Sequence, residues 1–189
     1  MMQLTRAEAL ARVERGESLA GVNLRGVELV GVSLRGVSFR GSDLSWGRFG
    51  ESDFTGADFT GADLFQADFG GADLTHANFT GADLTKARTW WTNFPGLLVV
   101  EGLPSGNAMT WPTPDGWEVQ VEWWWGTAGE MRAKLATGLW PDACGDAERV
   151  ARGPELLEIA DRFDAHAAAH HKTQEWLRDY WTQRAAISG

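Results

Sequence analysis

His166 and His170 are the residues best spaced for metal chemistry, because two histidines four apart on a helix share one face. A zinc site needs three or four ligands. The next residue along that row is Arg162, and Asp161 and Asp164 fall off it, so the pair predicts no metal centre. Cys144, the single cysteine, has no assignable base and no partner for an internal disulfide. Phosphate loops of the GxxxxGK type, GxSxG elbows, HExxH and CxxC are all missing. The expectation is a chain that is not an enzyme, with no catalytic residue and no cofactor.

Two other groups of side chains have chemistry to offer. Asp53, Asp58, Asp63, Asp68, Asp73 and Asp83 form a carboxylate series suited to holding cations or to imitating DNA phosphates. The plainer use is local, each carboxylate accepting backbone N–H groups of the turn that follows it. The 11 tryptophans, against one tyrosine, form the second group. Trp123, Trp124 and Trp125 cannot all face one side of a strand. An outward Trp124 or Trp125, with Trp90, Trp91 or Trp46, would make an aromatic anchor for a protein or a platform for a sugar; packing inside the molecule is the plainer alternative.

The elements that must position these groups follow from a repeat. Leu or Phe recurs every five residues from Leu19 to Leu84, fourteen times without a slip. From Leu24 on, a small or compact residue stands two before each, and a polar one, most often Asp, lies between. Five residues advance an α-helix by about 140°, which would scatter the apolar positions over every face. In an extended chain residues two apart share a face, and an odd repeat flips that face. The chain must therefore turn a corner every five residues, where glycines such as Gly56, Gly61, Gly71 and Gly81 stand. Sorting by twenty aligns Leu24, Leu44, Leu64 and Leu84, and separately Phe39, Phe59 and Phe79. That ordering predicts four sides per coil, with like stacked on like.

The units GADFT, GADLF, QADFG, GADLT and HANFT resemble the A(D/N)LXX signature of the pentapeptide-repeat family. The resemblance implies a mainly β fold, a right-handed quadrilateral β-helix of about 3.5 coils over residues 19–88. Residues 1–18 are then an N-terminal helical cap, with Thr5 to Glu8 as a capping box and a stop at Gly16. Residues 89–189 form a small α+β unit. In it, residues 97–100 read as a buried strand and residues 107–125 as a Trp-rich hairpin turning at Asp115-Gly116. A second capping box at Thr127 opens a helix ending at Gly138. Pro154 starts a long C-terminal helix, either continuous or broken at Thr173. This unit looks like a module found beside such repeats in bacterial and phage proteins, for which no activity is implied.

Acidic balance, with a net charge of −9, disfavours direct nucleic-acid binding. The N-terminal stretch has no apolar run suited to a signal peptide or membrane span, so the expected location is cytoplasmic, with no membrane association. Two functions remain in view. One is a non-catalytic protein-interaction protein, with a rigid repeat scaffold and a Trp-rich C-terminal unit that binds a protein partner or a second copy. A homodimer through the C-terminal helix is one form of it. The other, implied by the resemblance, is a DNA mimic that binds a type II topoisomerase, gyrase or topoisomerase IV. Charge opposes the second: residues 19–50 hold four Arg against two acids, and residues 51–88 seven acids against two bases. Length opposes it too, since the coils span only roughly 17 Å.

Overall fold

A computed structural model describes residues 3–103, 106–121, 124–137 and 146–188. The five-residue repeat winds into four-sided coils joined by parallel bridges between residues twenty apart, such as Asn23 to Asp43 and Asp43 to Asp63. Each coil bonds to the next through its backbone, as in Leu24 N–H to the Asp43 carbonyl at 2.7 Å and Asp43 N–H to the Val22 carbonyl at 3.0 Å. Leu and Phe fill the interior in four columns. Phe39, Phe59 and Phe79 stack face to face at 5.1 and 4.8 Å, because coils rise by one strand spacing and bring like rings into van der Waals contact.

At every corner the residue two past the apolar centre has positive φ. At most corners the next N–H closes the turn onto the centre's carbonyl, as Ala57 does onto Phe54 at 2.8 Å; at the Leu19 and Leu29 corners the Ser42 and Ser52 hydroxyls bridge instead, accepting from Val22 and Val32 and donating to the Leu19 and Leu29 carbonyls. That is the geometry of a type II turn, which favours Gly. The sides are numbered here by their centres: side 1 from Leu19, side 2 from Leu24, side 3 from Leu29 and side 4 from Leu34.

The coil runs further than the sequence suggested. Bridges continue to Arg88 and Asn93, and Phe94 is buried against Phe79 at 5.0 Å, completing four coils. Thr89 breaks the apolar register and conceals this from the sequence.

Both ends are capped. Below, Leu4 sits under Leu24 in its column, and its N–H donates to the Asn23 carbonyl; helix α1 (Arg6–Glu14) then lies across the opening with Ala9 buried. The capping box of Thr5 and Glu8 is formed. Above lies an antiparallel sheet, β1 (Leu98–Leu103), β2 (Gly106–Thr113), β3 (Gly116–Val121) and β4 (Trp124–Gly126), in that order. One face sends Met109 and Trp111 into the solenoid core. The other sends Val100, Ala108, Val119 and Val121 into a second core, with helices α2 (Ala128–Ala136) and α3 (Asp146–Ala169). The box at Thr127 and Glu130 opens α2; its expected end at Gly138 lies outside the described residues, as does Cys144.

Two local expectations are corrected. The hairpin turns on Pro114 and Asp115, with Gly116 already paired to Thr113. Pro154 lies inside α3 rather than at its start, and the break falls at His170, before α4 (His171–Ser188), rather than at Thr173. A proline costs a helix one backbone bond and a ring contact, which the packing of Leu156, Ile159, Ala160 and Phe163 in the second core offsets.

Candidate functional site

The polar series is used by its own turns. Asp53, Asp58, Asp63, Asp68, Asp73 and Asp83 each accept the N–H of the residue two further on, at 2.8–3.0 Å. Arginines on neighbouring coils take second oxygens, Arg35 on Asp53 at 2.9 Å and Arg40 on Asp58 at 3.2 Å. The six carboxylates are distributed over all four sides, since consecutive repeats face different directions.

Side 3 differs from the others. Its outward residues stack as Glu28, Arg48, Asp68 and Arg88, alternating in sign from coil to coil, with pairs at 3.2 Å for Arg48 to Glu28 and 3.4 Å for Arg88 to Asp68. Aromatic ridges flank it. At the corner between sides 2 and 3, Trp46 meets Phe65 edge-on at 5.7 Å, with Arg25 over Trp46 and Lys86 over Phe65, each at 5.9 Å. At the corner between sides 3 and 4 stand Trp90, under the Arg88 guanidinium at 5.6 Å, and Trp91, 93% exposed.

The backbone marks the same side. Six residues other than Gly hold the left-handed corner position: Trp46, Glu51, Gln66, His76, Lys86 and Trp91. For an L residue this costs roughly 1–2 kcal/mol. Five of the six border side 3. Across the molecule, the corner between sides 1 and 2 uses Gly21, Gly41, Gly61 and Gly81 throughout. The sixth, His76, is explained by α4: Trp176 and Tyr180 lie on its ring at 3.6 and 4.1 Å, and the Trp181 indole donates to its carbonyl at 3.0 Å. Among the described residues no such contact covers Trp91, which is left to solvent.

The C-terminal tryptophans are spread through their unit. Trp124 is half-buried and packs against the second core. Trp111 is fully buried, and Trp117 stands edge-on to His166 at 5.6 Å. The side chain of Trp125, like Trp123, lies outside the described residues. Of the C-terminal helical stripe, Leu156, Ala160 and Phe163 face the second core, while α4 lies against the coil. There Arg184 donates to the carbonyls of Gly36 and Gly56, and His166 Nε2 to that of Gly96 at 2.9 Å. With the Trp181 bond to His76, the helices cap one whole column of corner carbonyls, twenty residues apart. His166 and His170 have rings 4.0 Å apart, and His170 Nδ1 donates to the His166 carbonyl. Among the described residues no group of His, Cys, Asp or Glu is arranged to hold a metal, and no helix is long and apolar enough to cross a membrane.

Burial holds the His76 and His166 imidazoles below their ordinary value, offset at His76 by Asp73 and at His166 by the bond to Gly96. It pushes the Glu118 carboxyl up. Glu118 is a role sequence alternation missed. It reads as a solvent-facing residue of β3, yet its oxygens accept the Gly81 N–H at 2.9 and 3.1 Å. Gly61 gives the same N–H to the next coil, so Glu118 replaces the carbonyl of a coil that does not exist. Gln120 likewise binds Asp83 and Thr85.

Residues 18–56 and 52–88 match the family model described as pentapeptide repeats, in eight copies. The chain is similar to a pentapeptide repeat protein of the Arabidopsis thaliana thylakoid lumen at 34% identity, covering 36% of this chain and 47% of that one, with a TM-score of 0.35. It is similar to the pentapeptide repeat protein Rfr23 of the cyanobacterium Cyanothece at 29% identity (48% of this chain, 54% of that one, TM-score 0.40). A third similar structure is a pentapeptide repeat protein from Nostoc, at 27% identity (48% and 75%, TM-score 0.46). The chain thus spans about half the length of the first two. No curated protein matches it.

Proposed function

The tract from residue 18 to residue 88 belongs to the pentapeptide repeats, and from that premise we propose that this protein is a non-catalytic scaffold that binds another protein through side 3 of its coil. The observation that carries the reading is the concentration of strained, exposed residues there. Backbone strain is informative where nothing inside the molecule accounts for it. Trp46, Trp90 and Trp91 beside Arg25, Arg48 and Arg88 supply the residue types that dominate protein interfaces. The C-terminal unit is then cap and buttress, not the gripping surface.

Imitation of a DNA duplex, as in binding a type II topoisomerase, is the weaker reading. It needs carboxylates uncommitted and gathered on one side, whereas Arg35, Arg40, Arg48 and Arg88 interleave with them.

The test is capture from lysate by immobilised wild type and by a Trp46→Ala, Trp91→Ala double variant. A partner held by wild type and lost from the variant, with the melting midpoint kept, supports the reading. A partner held equally by both contradicts it.

A further inference from the structure

The charge order on side 3 has a symmetry property. Read up the coil it runs Glu28, Arg48, Asp68, Arg88: minus, plus, minus, plus. Reversed, it runs plus, minus, plus, minus, so every charge of this ladder meets its opposite when two such sides face each other with their coil axes antiparallel. Parallel packing would instead set Glu28 on Glu28 and Arg48 on Arg48. From this self-complementarity we infer that side 3 docks on side 3 of a second copy, as an antiparallel two-fold dimer. The inference rests on the reading of side 3 as a docking face and names its occupant.

Spacing supports the match, because both ladders rise by the same strand separation, about 4.8 Å, and stay in register from end to end. Glu28 faces Arg88 of the second copy, and Arg48 faces its Asp68. A two-fold axis across the side keeps each corner ridge against its own counterpart, with the coil order reversed. Trp46 in the second coil then meets Phe65 in the third coil of the other copy, extending the edge-on pair already present into a cluster of four rings. Trp90 and Trp91, in the fourth coil, meet the first coil's Val30 and Gly31, so that the largest residues on that ridge fall against small ones. Glu51 falls against Gly70 and Gly71. Arg25 and Lys86, both exposed and each lying over its own ring, are the one like-charged meeting, at the ends of the other ridge.

Size sets the strength. One side and its two ridges present roughly 400 Å² per copy, about 800 Å² in total, below the roughly 1,200–2,000 Å² total of a standard interface. The dimer is accordingly weak and forms at concentrations of about 10–100 µM. A two-fold interface is isologous and closed, so association stops at two.

Sedimentation equilibrium of the full chain, wild type and two charge variants, tests this. Glu28→Arg and Arg88→Glu alter positions that cap no turn, and circular dichroism checks that each folds. Wild type dimerises; each variant alone weakens association at least tenfold, because like charges then meet. An equimolar mixture restores it, because in a heterodimer the two substituted positions face each other and again carry opposite charges. A mere loss of fold could not be rescued by mixing. Wild type that stays monomeric throughout that range, or a mixture no tighter than the single variants, overturns the dimer. The two readings fail separately: a monomeric wild type that still loses a captured partner on Trp46→Ala, Trp91→Ala would keep side 3 as a docking face with a different occupant.

Discussion

His76 and Trp91 hold the same backbone conformation, φ 61° and 62°, at two corners within one turn of the coil, and among the described residues only His76 is packed by another element. Around His76 the molecule supplies two aromatic rings and an indole N–H, all from α4. Trp91 stands in solvent. The same left-handed turn is therefore stabilised by packing at one corner and left as uncompensated strain at the other. A repeat whose corners default to glycine reports, by each departure, a contact made either inside the chain or outside it.

The comparison breaks most sharply on the packed side. Replacing Trp176 and Tyr180 together by Ala removes both rings from His76 and should cost about 2–4 kcal/mol of the docking of α4. Thermal unfolding and limited proteolysis of the C-terminal helices would show it; an unchanged cleavage pattern would mean that α4 does not depend on that corner.

A smaller effect comes from pH. The folded-state values of His76 and His166 lie below the ordinary 6.5. Their neutral forms therefore stabilise the docked helices: the contribution is complete above about 6.5 and is lost as pH falls through the depressed values. Acidification should release α4 before the coil, seen as faster cleavage within residues 171–188, and His76→Gln should reduce that dependence. Cleavage that does not vary between neutral and mildly acidic pH would remove His76 from the account.

The smallest effect is at Glu51, exposed and left-handed on the ridge of side 3. Glu51→Gly relieves the corner while adding freedom to the unfolded chain, so the melting midpoint should hold or rise by up to about 1 kcal/mol in equivalent stability. A clear fall would show that Glu51 makes a contact the corner needs.

Much of this molecule can be read from its letters, for a physical reason. The five-residue pattern, the Phe39, Phe59 and Phe79 column and both capping boxes are local, each residue's neighbours being fixed by its spacing. What could not be read depends on meetings between distant segments. Thr89 and Arg88 disguise the last turn of the coil, because bonds to the coil below hold it where apolar spacing no longer does. Glu118 and Gln120 look like the wet face of a hairpin until the unpaired edge of the last coil is set against them. Trp124 and Trp91 are indistinguishable in sequence, yet one packs on a second core and the other stands in solvent.

The most direct measurement sets the two corners side by side: His76→Gly and Trp91→Gly, each scored for melting midpoint and for association through side 3. The account predicts that Trp91→Gly keeps its midpoint and loses association, while His76→Gly loses stability in the C-terminal helices and keeps association. Association retained by Trp91→Gly, or lost equally by both, would contradict the claim that the strain at side 3 exists for a partner.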